Sequence, residues 1–111
     1  MKSNCIYVPG IFEIPVVISK NIKKFDGFLA LGCVIKGETP HFDYISRSTF
    51  DALMNLSVKY KKPIGNGIIT ALNESQVIRR TGSNLSSSKL KKGGKGLEAA
   101  RAVIEVLNNG T

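Results

Sequence analysis

Residues 28–44 read FLALGCVIKGETPHFDY, and the first seven of them form an uninterrupted apolar run. Such a run is typical of a strand that is buried on both faces of a parallel sheet. A polar loop follows, and it carries His41, the only histidine of the chain. Because ligands of open α/β sheets bind beyond the carboxyl ends of the strands, this loop is predicted to form part of a small-molecule site.

The loop contains residues that are suited to proton transfer and to ligand binding. Histidine is the side chain whose ordinary pKa, about 6.5, allows it to give and take protons near neutral pH. Glu38 and Thr39 could hydrogen-bond a ligand, and Gly37 allows a close approach of the backbone. From the residues alone, a structural histidine and a simple turn remain open as alternatives. Glu13, after a Pro-Gly turn, is explained at least as well by a favourable interaction with a helix dipole.

Strands and helices alternate along the chain, which indicates an α/β fold with parallel strands and right-handed crossovers. The patterns predict strands at residues 5–8, 28–34 and 64–71, and helices at residues 12–24, 43–59, 73–80 and 97–107. The helix at 73–80 begins with Asn73 as N-cap and Gln76 three residues later. Phe12 and Val16 are predicted on one face of the first helix. The apolar face of the second is predicted to comprise Ile45, Phe50, Leu53, Met54, Leu56 and Val58.

The composition is that of one soluble domain spanning residues 1–111. No apolar run is long enough to span a membrane, and Pro9, Gly10, Glu13 and Pro15 interrupt any signal peptide. The two cysteines, in strand-like surroundings, predict buried thiols in a reducing compartment. We therefore expect the chain in the cytoplasm.

The net charge is +8, and residues 79–95 contain six basic residues and no acidic one. From charge alone, a solvated surface, a phosphate site and a nucleic-acid surface are all open. Residues 79–110 contain no aromatic side chain, which disfavours single-strand binding by stacking. Arg80 and Lys95 are candidate phosphate ligands. A P-loop is excluded because Gly96 follows Lys95 where Ser or Thr is needed, and one histidine with two separated cysteines predicts no zinc site.

Four segments, taken in order, resemble the 6,7-dimethyl-8-ribityllumazine synthase family. They are residues 8–15 (VPGIFEIP), 31–44 (LGCVIKGETPHFDY), 63–70 (PIGNGIIT) and 94–100 (GKGLEAA). The resemblance covers nearly the whole chain, and its first two motifs are specific. It implies a three-layer α/β/α fold with a mostly parallel sheet, flavodoxin-like in topology.

The resemblance also implies a transferase of riboflavin biosynthesis, active in the penultimate step. That family condenses 5-amino-6-(D-ribitylamino)uracil with 3,4-dihydroxy-2-butanone 4-phosphate, and it uses no metal and no cofactor. An amine attacks the ketone to form a Schiff base, phosphate is eliminated, and the ring closes. The implied partners are these two small molecules and further copies of the chain, as a pentamer or an icosahedral shell. Neither a membrane nor a nucleic acid is implied.

By position, the resemblance implies roles for twelve residues. His41 is the implied proton-transfer residue, Arg80 the phosphate anchor, and Lys95 a neighbouring charge. Asn66 is implied to line the pocket of an adjacent subunit. The implied pyrimidine, ribityl and butanone phosphate contacts are Ile11, Phe12, Glu13, Cys33, Val34, Ile35, Glu38 and Thr39.

Two departures from the family pattern keep an alternative open. Family members begin with a further strand and helix before residue 5, and that strand lies in the middle of their sheet and contributes a stacking aromatic ring. The stretch from 81 to 94 is also longer and more basic than in the family. The alternative to an active enzyme is therefore an N-terminally short, inactive remnant or assembly component that retains weak ligand binding.

Overall fold

The computed structural model describes residues 3–37, 41–81 and 94–109, apart from four side chains within 74–81. Two strands and five helical segments occupy these ranges. In chain order they are the 3-10 helix η1 (Ile11–Glu13), α1 (Ile14–Lys20), β1 (Phe28–Ile35), α2 (His41–Tyr60), β2 (Ile64–Ala71), α3 (Glu74–Thr81) and α4 (Lys95–Asn109).

The two strands pair in parallel, with Phe28 opposite Ile64 and Ile35 opposite Ala71. This pairing confirms the predicted α/β class, both of these strands and the parallel sheet. The predicted burial of β1 on both faces is wrong, because Leu29 and Leu31 are 43% and 56% exposed on one face. Since parallel neighbours share their direction, the carboxyl ends of β1 and β2 lie at one edge of the sheet. The helices that follow the strands, α2 and α3, begin at that edge.

Helices cover both faces of the sheet, which gives the predicted layers. On one face, Ala30 of β1 and Ile68 of β2 are packed in a buried cluster with Leu53 of α2 and four isoleucines, Ile11, Ile14, Ile18 and Ile22. On the other face, α4 lies against β2. The sheet therefore separates the face that carries η1, α1 and α2 from the face that carries α4.

Gly65 in β2 lets α4 approach the sheet closely. A Cβ atom on Gly65 would lie 2.6 Å from the carbonyl oxygen of Ala99, whereas one on Gly67 would clash first with Cδ2 of Leu31 on β1, at 2.5 Å. A side chain at position 65 would therefore displace the backbone of α4. Buried Val103 continues the contact of α4 with the sheet.

The predicted strand at residues 5–8 is wrong. These residues have no regular secondary structure, and Ile6 and Tyr7 are 52% and 91% exposed. Their apolar and β-branched character favours a strand, but a strand needs a hydrogen-bonding neighbour, and β1 and β2 pair only with each other among the described residues. The prediction of buried thiols is also wrong, because Cys5 and Cys33 are both free and exposed.

The buried faces of the first two predicted helices also differ from expectation. α1 ends at Lys20, and the residues that η1 and α1 bury include Ile11, Ile14 and Ile18, whereas Phe12 and Val16 are exposed. The short 3-10 segment shifts the helical phase, because it has three residues per turn. α2 buries Ser46, Thr49 and Leu53, and it exposes Met54 and Val58. No helix among the described residues is long and apolar enough to cross a membrane.

Gly65→Ala is expected to destabilise the fold by about 1–3 kcal/mol, because the added methyl group forces α4 away from β2. Gly37→Ala is the matched control, since a Cβ atom at Gly37 would meet nothing within 4 Å. The control is expected to change the free energy of unfolding by less than about 0.5 kcal/mol. Urea unfolding followed by circular dichroism measures both, and equal losses would contradict the close α4–β2 contact.

Candidate active site

The first family-like motif lies against β1 because position 32 has no side chain. A Cβ atom on Gly32 would lie 2.9 Å from Cγ2 of Ile11. Ile11 is buried at this contact, Phe12 is 63% exposed beside it, and Glu13 is half-buried. Glu13 donates its backbone N–H to the carbonyl oxygen of Gly10 at 3.2 Å, which closes the turn. The contact brings residues 11–13 onto the strand whose carboxyl end leads to His41.

The carboxyl end of β1 presents side chains to both faces of the sheet. Val34 is half-buried and packs against the core that contains Ile11, whereas Cys33 and Ile35 are exposed. This alternation follows from the two-residue period of a strand. His41 is the first residue of α2 and is exposed. Helix α2 also contacts η1, so the histidine begins the helix that is packed on the first motif.

A capping arrangement positions α3 directly after β2, as the sequence predicted. Asn73 Oδ1 accepts a hydrogen bond from the backbone N–H of Gln76 at 3.0 Å. Gln76 in turn accepts one from the backbone N–H of Leu72 through Oε1 at 2.7 Å. These two bonds hold the first turn of α3 against the loop. Arg79, three residues after Gln76, therefore lies on the same side of the helix.

An open depression of about 380 Å³ lies where β2, α3 and α4 meet. Arg79 and Lys95 contribute cations to its wall, and Glu98 contributes a carboxylate. The remaining lining residues are Ile68, Ile69, Thr70 and Gly94. Two cations in one concave surface suit an oxyanion, and a guanidinium offers it two parallel donors. The carboxylate of Glu98 reduces the positive potential and favours a ligand that also brings a donor group.

The other predicted residues lie partly within the described structure. Asn66 is exposed on β2, and its Oδ1 accepts a hydrogen bond from the backbone N–H of Ile68 at 3.0 Å. In the parallel pairing, the N–H of Ile68 points away from β1. The side chain of Asn66 therefore supplies a hydrogen-bond acceptor to a backbone donor at the outer edge of β2. Glu38 and Thr39, the side chain of Arg80 and the loop at 83–92 lie outside the described structure.

The predicted site residues form two groups on opposite sides of the sheet. Residues 11–13, Val34 and His41 belong to the side of η1 and α2, whereas Lys95 belongs to α4. The first group offers an apolar wall with an exposed imidazole, and the second offers cations for an anion. Within one chain the sheet stands between the two groups. In the part of the chain that the structure describes, no three His, Cys, Asp or Glu residues are placed to hold a metal ion.

Comparison with known proteins identifies the family. The family model for 6,7-dimethyl-8-ribityllumazine synthase matches residues 1–110. This chain belongs to the 6,7-dimethyl-8-ribityllumazine synthase family. The resemblance of the four motifs is thereby confirmed.

Curated proteins named 6,7-dimethyl-8-ribityllumazine synthase are similar over most of this chain. The protein of Campylobacter curvus is 46% identical over 105 residues, which cover 93% of this chain and 63% of the relative. The protein of Campylobacter jejuni strain RM1221 is 44% identical over the same share of this chain and 64% of its own length. That of Helicobacter acinonychis is 39% identical over 107 residues, or 95% of this chain and 64% of the relative. The chain thus spans less than two thirds of these lumazine synthases.

The structure adds Arg79 and Glu98 to the residues that sequence reasoning selected. The family pattern pointed to Arg80, and no motif distinguishes its neighbour. The capping residues Asn73 and Gln76 could have indicated Arg79 from the sequence. They set where α3 begins, and Arg79, three residues after Gln76, lies on the same side of the helix. Glu98 lies three residues after Lys95, which puts both on one side of α4. This spacing was visible in the sequence.

Arg79→Gln is expected to weaken the binding of inorganic phosphate about fivefold, the equivalent of roughly 1 kcal/mol for an exposed charge. Arg101→Gln is the matched control, because Arg101 is an exposed arginine on α4 outside the depression. Isothermal titration with phosphate measures both variants. Equal affinities of the two variants would exclude Arg79 from the anion site.

Proposed function

We propose that this chain is a lumazine synthase subunit that condenses 5-amino-6-(D-ribitylamino)uracil with 3,4-dihydroxy-2-butanone 4-phosphate. The observation that carries the proposal is the contact of Ile11 with Gly32, which joins the two specific family motifs beside the start of α2. The family match over residues 1–110 supports it. We further propose that residues 1–111 form one domain, that the protein acts in the cytoplasm, and that the reaction needs no metal or cofactor.

In the proposed reaction, the 5-amino group of the pyrimidine attacks the ketone, and water leaves as the imine forms. Elimination then breaks the bond between carbon and the phosphate oxygen, inorganic phosphate departs, and the ribityl-substituted nitrogen closes the ring with loss of a second water. Both stages move protons near neutral pH, which is the role proposed for His41. A departing phosphate needs cations near its oxygens. Arg80 and Lys95 are proposed for this role, and Arg79 joins them.

Residues 11–13 and 33–35 are proposed to bind the pyrimidine and its ribityl chain. Phe12 is exposed and Glu13 is half-buried, and both directly follow Ile11, which contacts Gly32 two residues before Val34. Glu38 and Thr39 are proposed to hold the butanone phosphate from the loop before α2. Asn66 is proposed to line the pocket of a neighbouring subunit.

The opposite placement of the two groups favours an assembly of several copies. His41 begins a helix on one side of the sheet and Lys95 begins a helix on the other, so a pocket that uses both is completed by a second copy. A head-to-tail arrangement of copies around an axis brings opposite sides of neighbouring subunits together. We propose a homo-oligomer of this kind, a pentamer or a larger icosahedral shell.

His41→Ala is expected to lower kcat by about 10²-fold or more, because proton transfer by a positioned side chain contributes that much. Asp43→Asn, an exposed change in the same turn of α2, is the matched control and should retain most of the rate. The fluorescence of the lumazine product measures turnover. An unchanged rate in the His41 variant contradicts its role, and a wild-type protein without turnover at high concentration supports the inactive alternative.

A mixture of two inactive variants tests whether the site is shared between copies. His41→Ala and Lys95→Ala subunits are unfolded and refolded together, so that mixed oligomers form. If His41 and Lys95 of one site come from different chains, about one quarter of the sites regain both groups in random mixing. Turnover should then exceed that of either variant refolded alone. No gain in a verified mixed oligomer would place both groups of each site in one chain.

A further inference from the structure

Six lysines gather at the amino-terminal edge of the sheet, the end opposite the candidate active site. They occupy two segments, residues 20–26 at the end of α1 and residues 59–63 at the end of α2, which together we call the basic pole. The lysines are Lys20, Lys23, Lys24, Lys59, Lys61 and Lys62, and Asp26 is the only acidic residue in either segment. Nearly forty positions separate the two segments in sequence, so only the fold brings their charges together.

One of the lysines fastens the two segments to each other. Lys62 Nζ donates hydrogen bonds to the backbone carbonyl oxygens of Ile22 at 2.6 Å and Phe25 at 3.0 Å. The ammonium group of Lys62 therefore binds the backbone within the pole and is less available to an external ligand. The other five lysines are exposed. Lys61 has a positive φ of 55°, and the N–H of Lys62 bonds back to the carbonyl oxygen of Ser57 at 3.2 Å, so α2 ends in a defined turn.

The negative C-terminal ends of three helices compensate only part of the positive charge of the lysines. α1 and α2 end at the pole, and α4 reaches the same edge, because a Cβ atom on Gly27 would contact Val103 and Leu107. Each helix C-terminus carries about half a negative charge. Three of them and Asp26 together offset fewer than three of the six lysines. The pole therefore retains a net positive charge, which attracts external anions.

We infer that the basic pole docks the phosphate backbone of a nucleic acid, without reading its sequence. All of its cations are lysines, which contact phosphates as point charges, and five of them are exposed over two segments, an arrangement that suits an extended polyanion rather than one small anion. Tyr60, at 36% exposure, is the only large apolar side chain exposed in either segment. The pole thus lacks the apolar face that holds a protein on a membrane surface.

This surface is distinct from the basic stretch at 79–95. The pole lies at the amino ends of the strands, and the depression with Arg79 and Lys95 is lined by the second half of β2. A nucleic acid bound at the pole therefore leaves the candidate active site open. The inference does not depend on the proposed enzymatic activity.

The test compares two double charge reversals that lower the net charge equally. Lys23→Glu with Lys61→Glu changes the pole, and Arg47→Glu with Arg101→Glu changes exposed positions of α2 and α4 elsewhere. Fluorescence anisotropy of a labelled mixed-sequence duplex is measured over a salt series. Each lost phosphate contact lowers the slope of log K against log salt by about 0.9, so the pole variant should lose about two in slope and at least tenfold in affinity at low salt. The control should lose less than about threefold.

Four results would overturn the inference. The first is that the wild type does not bind the duplex at low salt, and the second is that both double variants lose the same duplex affinity. The third is that an Arg79→Gln, Lys95→Gln variant loses as much duplex affinity as the pole variant, and the fourth is that the wild type binds polyglutamate or anionic lipid vesicles as tightly as the duplex. If the charge reversal at the pole alters the circular dichroism spectrum, Lys23→Gln with Lys61→Gln replaces it. That pair should still lower the slope, and an unchanged slope in the folded pair counts against the pole.

Discussion

The absence of side chains at a few positions of β1 and β2 decides how closely the helices approach the sheet. Gly32 admits Ile11 on one face, and Gly65 admits the backbone of α4 on the other. Sheets and helices ordinarily meet through layers of side chains, so contact at the level of backbone atoms draws the elements nearer together. Residues 11–13 and Lys95 depend on these contacts, because η1 and α4 carry them.

The same close packing divides the chemistry of the chain between two faces. The imidazole of His41 belongs to the side of α2, and the cations of Arg79 and Lys95 belong to the depression between β2, α3 and α4. This placement on opposite faces supports the proposal that a site using both groups is completed by a second copy.

The predictions that succeeded were those with a local physical cause. The apolar run at 28–34 predicted the strand β1, though not its exposed face, and Asn73 with Gln76 predicted the start of α3 through hydrogen bonds within a few residues. Those that failed concerned partners. Residues 5–8 have strand-like composition but no strand beside them among the described residues, and Cys33 lies on β1 but is left exposed by the helices that the structure describes. The prediction of which face η1 and α1 bury was also wrong, because a 3-10 turn before Pro15 rotates the buried face.

The class of the fold, the order of most elements, the resemblance to the family and the choice of His41 and Lys95 as candidates could all be derived from the amino-acid sequence. These follow from periodicity, capping and motifs, which act over short stretches of chain. The folded chain was needed to show that Arg79 lines the depression, that the two candidate groups lie on opposite sides of the sheet, and that six lysines share one pole. Such facts depend on residues that are far apart in sequence, and no local pattern records which of them the packing of helices on a sheet will bring together.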